Sequence, residues 1–185
     1  MKTRKSHKDN MKLNIYELLY SLIEQDEKMQ EIVGKLPQNL RKYEVPVLFK
    51  KNSTVIMKYE RVHFAYVTLL GELYVQSEFA DGNIYQFSSM GRGSYIADLE
   101  VLSEMHMNAV TVIAAEDTYA LQFPVSIFAK ELRENHDFLY QVASSLAKKM
   151  FASSFNRGKN LYKPGIVKLI LFLIGYYETN CLDKD

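Results

Sequence analysis

The side chains able to do chemistry are few and scattered. The four histidines are His7, His63, His106 and His136. A metal site on a β scaffold needs two or three histidines and a carboxylate converging from neighbouring strands. Only His63 and His106 fall within the strand-rich part of the chain, and no His-x-His pair occurs. Cys181 is the single cysteine and adjoins a charged tail with no base near it in sequence. A thiol nucleophile needs such a base. No Gly-x-Ser-x-Gly turn and no Gly-Lys-Ser/Thr stretch exists. Gly91-Arg92-Gly93 opens like a dinucleotide fingerprint but lacks the third glycine and leads into strand-like Tyr95-Ile96, which makes it a turn. No set of residues has the composition of an enzyme centre, and no metal or cofactor is expected.

Bulk properties narrow the class further. The chain has 185 residues, 48% hydrophobic, with 13 Tyr, 10 Phe and a net charge of +1. That supports a packed core and argues neither for nor against nucleic acid. Lys2, Arg4, Lys5, Lys8 and Lys12 form a basic cluster, expected to be a solvated tail. One cysteine allows no disulfide within the chain, which points to a reducing, cytoplasmic setting. The longest apolar run, Ile166 to Tyr177, is broken by Lys168 and Gly175, short of the roughly 20 residues that span a bilayer. No membrane association is expected.

The elements follow from periodicity. Leu13, Tyr16, Leu19, Tyr20, Ile23, Ile32 and Val33 recur at helical spacing, predicting one or two helices that end near Gly34 and Pro37. From Val45 the period becomes two. Val47 and Phe49, Val55 and Met57, then Phe64, Tyr66 and Thr68 predict half-buried strands. Ala80-Asp81-Gly82-Asn83 predicts a hairpin turn. With Ala109–Ala115 and Thr118–Phe123, about eight strands result, enough to close a β architecture. Pro124 marks a helix start. A longer helix opens at His136-Asp137 and carries Phe138, Leu139, Val142, Ala143, Leu146, Met150 and Phe151 as one stripe. A last helix from Ile166 is apolar on most sides, and so is expected to be buried against something.

This order resembles the Crp/Fnr family of bacterial transcription regulators, from about Lys51 onward. Ser53-Thr54-Val55-Ile56 is similar to the family's first strand of the roll. Tyr66-Val67 through Leu70-Gly71-Glu72-Leu73-Tyr74-Val75 is similar to its strand-turn-strand. Gly82 and Gly93 stand at its next turns, and Asn135-His136-Asp137 at the start of its long helix. Tyr59-Glu60 stands where many relatives have Gly-Glu. The resemblance implies a double-stranded β-roll of the cyclic-nucleotide-binding type, then a dimerisation helix and the start of a winged helix-turn-helix domain. The corresponding segments are 1–44 (helical), 45–134 (β-roll), 135–160 (dimerisation helix) and 161–185 (first helix of a DNA-binding domain).

The resemblance also implies a phosphate-binding cassette, and here the chain departs from it. The family's Gly-Glu-Leu is Ala97-Asp98-Leu99, and its Arg-Ser/Thr-Ala is Asn108-Ala109-Val110. Ala97 adds a methyl group where a phosphate approaches the backbone. Asp98 keeps a carboxylate for a ribose hydroxyl but is shorter. Asn108 carries no charge where arginine would pair with phosphate, and Ala109 removes a hydroxyl donor. Ser153 and Ser154 fall where cyclic-AMP-binding members hold the base. These seven residues form the candidate effector site, expected not to take cyclic AMP or cyclic GMP. Met105, His106 and Met107 admit an apolar or peptide-like effector, an adaptable surface of the kind methionines make, or only packing of the roll's own surface.

The resemblance further implies a homodimer through Leu139, Val142, Leu146 and Met150, with packing inside one subunit as the alternative. It implies DNA binding through a domain whose recognition helix is expected beyond Asp185, so weak DNA binding at most, and the unpartnered apolar helix points to a shortened chain. Two rival functions remain: a cupin-like metalloenzyme on a similar roll, or a roll that only dimerises or docks a protein.

Overall fold

The computed structural model describes residues 15–78, 84–160, 164–167, 169–170 and 173–174; for residues 85, 87 and 153–160 it describes the backbone alone. Two units result, Met1–Leu146 and Ala147–Asp185. The hairpin turn expected at Ala80–Asn83 lies outside the described residues apart from its flanks, where Glu78 pairs with Ile84. His7 and Cys181 also lie outside them.

The first unit opens with α1, helical through residues 15–25, and α2, Glu27–Gly34. Asp26 separates them by capping α2, its carboxylate accepting from the Met29 amide at 3.0 Å and so satisfying one donor that the helix leaves free. The short α3, Gln38–Arg41, follows Pro37 and has no counterpart in the sequence reading, because four residues carry too little periodicity to see.

Eight strands follow: β1 Val45–Phe49, β2 Thr54–Ile56, β3 Phe64–Leu70, β4 Leu73–Glu78, β5 Ile84–Met90, β6 Tyr95–Ile96, β7 Thr111–Ala114 and β8 Thr118–Pro124. They form two antiparallel four-stranded sheets, ordered β1-β8-β3-β6 and β2-β7-β4-β5. Every connection but the β4–β5 hairpin thus crosses from one sheet to the other, the jelly-roll connection. Pro46 lies on β1, an edge strand, where its missing amide proton does least harm. Gly71, at φ +100°, turns β3 into β4. A Cβ there would come within 2.5 Å of Thr118 Oγ1 and 2.8 Å of Thr118 Cα, so only glycine fits.

One strand of the first sheet, β3, is not half-buried as the alternation suggested, whereas β1 is. Ala65, Val67, Leu69, Leu121 and Phe123 project into a core shared with Leu19, Met29 and Leu40 of the helices. Tyr66, Ile96 and Ala120 project the other way, toward Val55, Leu73, Val75, Val112 and Ala114 of the second sheet. Helices cover one face and a sheet the other, so β3 is buried continuously from Ala65 to Leu69. Arg92 fastens the helical layer to the β5–β6 turn through an ion pair with Asp26 at 2.7 Å.

Between β6 and β7 lies α4, Asp98–Leu102. After β8 come α5, Val125–Glu134, and α6, His136–Asn160. Pro124 is the N-cap of α5. Asn135 starts α6 by accepting from the Phe138 amide at 3.0 Å. In the second unit, helix is described at residues 165–167, 169–170 and 173–174. Ile166, Leu169, Ile170, Leu173 and Ile174 are exposed.

Candidate effector cassette

The cassette begins with strain. Ala97 caps α4 at φ 68°, ψ 12°, the left-handed region that glycine enters freely and alanine only at a cost of about 1 kcal/mol. Its methyl group is buried in the core beside the helical layer. The backbone shape that a glycine would give is therefore kept, with a side chain added. Tyr59, at φ 68°, likewise holds a glycine-like conformation where the resemblance has Gly.

Asp98 and Leu99 open α4. The Asp98 side chain is buried, and its Oδ1 accepts from the Leu99 amide at 3.0 Å. A carboxylate at a helix start is also favoured by the peptide dipoles. Leu99 is exposed. Asp98 also acts electrostatically on Tyr95, whose phenol is pushed up to about 12, first by burial, with the Asp98 charge adding and a Gln141 hydrogen bond opposing.

Glu100 escaped the sequence reading, and it changes the site. It is buried, and its Oε1 accepts from the Ala109 amide at 2.9 Å. This contact holds the two ends of the cassette together. It also places a carboxylate on a backbone donor at the cassette's far end. A phosphate approaching that donor meets a buried carboxylate already bound there, and Asn108 stands where the resemblance has an arginine to pair with it. The one signal in the sequence is a second acidic residue inside the apolar run Asp98-Leu99-Glu100-Val101-Leu102.

Asn108 serves the adjoining turn. Its amide donates to Glu60 O at 2.8 Å and its carbonyl accepts from the Tyr59 amide at 2.9 Å. Its Nδ2 donates to Met57 O at 3.1 Å. Its Oδ1 is buried with no partner. Three bonds thus fasten Asn108 to residues 57–60, and the side chain acts as a clamp on the strained Tyr59 turn. The structure brings Ala97, Asp98 and Leu99 together on α4 and joins Ala109 to them through Glu100. The side chains of Ser153 and Ser154 lie outside the described residues.

The expected dimer stripe divides. Val142 is fully buried inside its own chain with Phe138, Phe128 and Leu132, which removes it from any seam between copies. The cause is an aromatic cluster: Phe138 stands edge-on to Phe128 at 5.5 Å and to Tyr95 at 6.0 Å between ring centroids, holding the first turns of α6 on the core. Leu139 is half-buried against the same cluster, and Leu146 is half-buried. Met150, in the second unit, is 58% exposed and Tyr140, in the first, 77%.

His63, His106 and His136 are exposed, and among the described residues no three His, Cys, Asp or Glu side chains are placed to hold a metal ion. Among them no helix is long and apolar enough to cross a membrane.

No protein-family model and no curated protein sequence matches the chain. Solved structures do. The cyclic-di-GMP-responsive global regulator CLP of Xanthomonas campestris superposes with a TM-score of 0.68 at 10% identity, covering 76% of this chain and 70% of that one. A cyclic nucleotide-binding domain from Methylobacillus flagellatus gives 0.60 at 15% identity, covering 75% and 83%. The catabolite activator protein of Thermus thermophilus gives 0.54 at 15% identity, covering 65% of this chain and 58% of that one. The chain therefore has the cyclic-nucleotide-binding-like β-roll fold, the fold of Crp/Fnr regulators.

Proposed function

We propose that this chain is the sensing and dimerisation portion of a transcription regulator whose roll does not respond to cyclic nucleotides. The observation that carries the reading is the internal occupation of the cassette. The Glu100 carboxylate sits on the Ala109 amide at 2.9 Å, and Asn108, not arginine, is bonded into the Tyr59 turn. The fold it shares with CLP and the Thermus catabolite activator supports a regulator over an enzyme.

In this reading residues 45–134 are the sensor, 135–160 the dimerisation helix and 161–185 the first helix of a DNA-binding domain. Dimerisation uses the exposed part of α6, with Leu146 and Met150 at the seam and Val142 excluded. The exposed Ile166, Leu169, Ile170, Leu173 and Ile174 would face the rest of the DNA-binding domain. Cytoplasmic placement follows from that role. Signalling requires an effector that binds two arrangements of the roll and helix unequally. Thermal unfolding with cyclic AMP, cyclic GMP and a metabolite panel is the direct test, because a ligand specific to the folded state raises the midpoint. A shift with either cyclic nucleotide contradicts the reading.

A cassette satisfied from within also favours a second reading, a roll that only dimerises or docks a protein. Absence of any ligand-induced shift supports it. The cupin-like reading has no comparable support, since its donor set is missing among the described residues.

A further inference from the structure

A second candidate site opens beside the cassette and shares Glu100 with it. A cleft of about 390 Å³ opens between α4 with its following loop, the segment before β3, and α5. Its volume is at the lower end of the range for small-molecule sites. The apolar lining includes Val62, Val101, Val125 and Ala129. Its walls are held by backbone bonds from Val62 N to His106 O at 3.0 Å, Met105 N to Glu100 O at 2.8 Å and Val125 N to His63 O at 3.0 Å.

The charges in this cleft are the informative feature. Arg61, Arg133, Glu100 and Glu104 all line it. Two cations and two anions in one cleft would ordinarily pair. Among the described residues none of the four stands within 4.0 Å of an opposite charge. Glu100 is buried on the Ala109 amide, but Arg61, Arg133 and Glu104 are exposed, so both signs are available to a guest. A guest with one negative and one positive group satisfies both, whereas a simple anion or cation leaves one pair of like charges facing it. Guanidinium groups favour carboxylates geometrically, and the glutamates favour an ammonium.

We propose that this cleft binds a zwitterionic molecule of the amino-acid class, a free amino acid or dipeptide with an apolar side chain. Its carboxylate meets Arg61 and Arg133, its ammonium meets Glu104, and its side chain lies on Val62, Val101, Val125 and Ala129. Binding would tie α4 to α5, the helix that leads into α6. The binding itself does not rest on the regulator reading; only its signalling consequence does.

Calorimetric titration of the full chain with L-leucine and leucyl-leucine at millimolar concentration tests this. L-Leucinamide, which lacks the carboxylate, and N-acetyl-L-leucine, which lacks the ammonium, separate the two charge contacts. Arg133→Gln and Glu104→Gln alter exposed side chains, so folding should be kept, and circular dichroism verifies it. The expected result is heat from at least one zwitterion, with affinity reduced about tenfold in each variant and with each analogue. Ala129→Trp, which fills the cleft, should abolish it. No heat from either zwitterion, equal binding of N-acetyl-L-leucine, or unchanged affinity in folded Arg133→Gln overturns the proposal. A negative result leaves the regulator reading standing, because that reading is tested by cyclic-nucleotide titration and oligomeric state.

Discussion

Gln141 Nε2 donates a hydrogen bond to Tyr95 Oη at 2.5 Å. Tyr95 ends two residues before Ala97, on the strand that delivers the cassette, and Gln141 lies on α6. One bond therefore joins the strand leading into the candidate effector site to the helix proposed to carry its signal. The Tyr95 ring is also wedged against Phe128 and Phe138, so the strand and the helix share an aromatic contact as well.

Changing Tyr95 to Phe should cost about 1 kcal/mol at neutral pH, the usual value of one lost hydrogen bond. It should also flatten the alkaline side of the stability curve. The folded phenol is raised from 10.0 to about 12, so its contribution is complete below 10, falls above that value, and is gone once the pH passes through 12. Tyr20 and Tyr66 are raised too, chiefly by burial, so the variant should keep part of the slope. Urea unfolding at a series of alkaline pH values measures the difference.

On the acid side the sign reverses. Asp26 is held below its ordinary 3.8 by the Met29 amide and by Arg92, and Asp117 by Lys50 and the Lys51 amide. These lowered groups stabilise the fold above about pH 4 and lose their contribution as pH falls through their folded values. Asp26→Asn should therefore narrow the drop in melting midpoint between neutral and acid pH. An unchanged acid limb would show that the cap and the Arg92 pair add nothing.

Gly71→Ala should be among the most damaging small substitutions, because the added methyl group meets Thr118 backbone and side chain in a left-handed conformation. A loss of about 3 kcal/mol is expected from strain and overpacking together. Equilibrium urea unfolding measures it.

The proposed seam on α6 separates by exposure. Leu146→Glu and Met150→Glu should yield folded monomers in light scattering, since neither side chain is buried. Val142→Glu should instead lower the melting midpoint sharply, because it places a charge in the core of its own chain. A dimer that survives Leu146→Glu would remove this helix from the interface.

The jelly roll was legible because its signals are local: period-two apolar residues, the glycine at Gly71, and Asn135 before a helical stripe. The burial of both faces of β3 was not, since it depends on helices distant in sequence packing on that sheet. The same cause hid the fate of Val142, which periodicity assigns to a stripe without saying which partner covers it. In the cassette, the replacements at Ala97 and Asn108 could be read directly. Glu100 could not, because a lone glutamate in an apolar run reveals its partner only when the loop folds Ala109 back onto it. The cleft residues Arg61, Arg133 and Glu104 come from three separate segments, and nothing in their spacing joins them.

The central claim is that the roll has kept its shape and lost its cyclic-nucleotide site. Calorimetric titration of the chain with cyclic AMP and cyclic GMP tests it most directly. The account predicts no tight binding with either nucleotide, since a buried carboxylate holds the Ala109 amide and Asn108 stands in place of the arginine. A sub-micromolar dissociation constant for either one would contradict it.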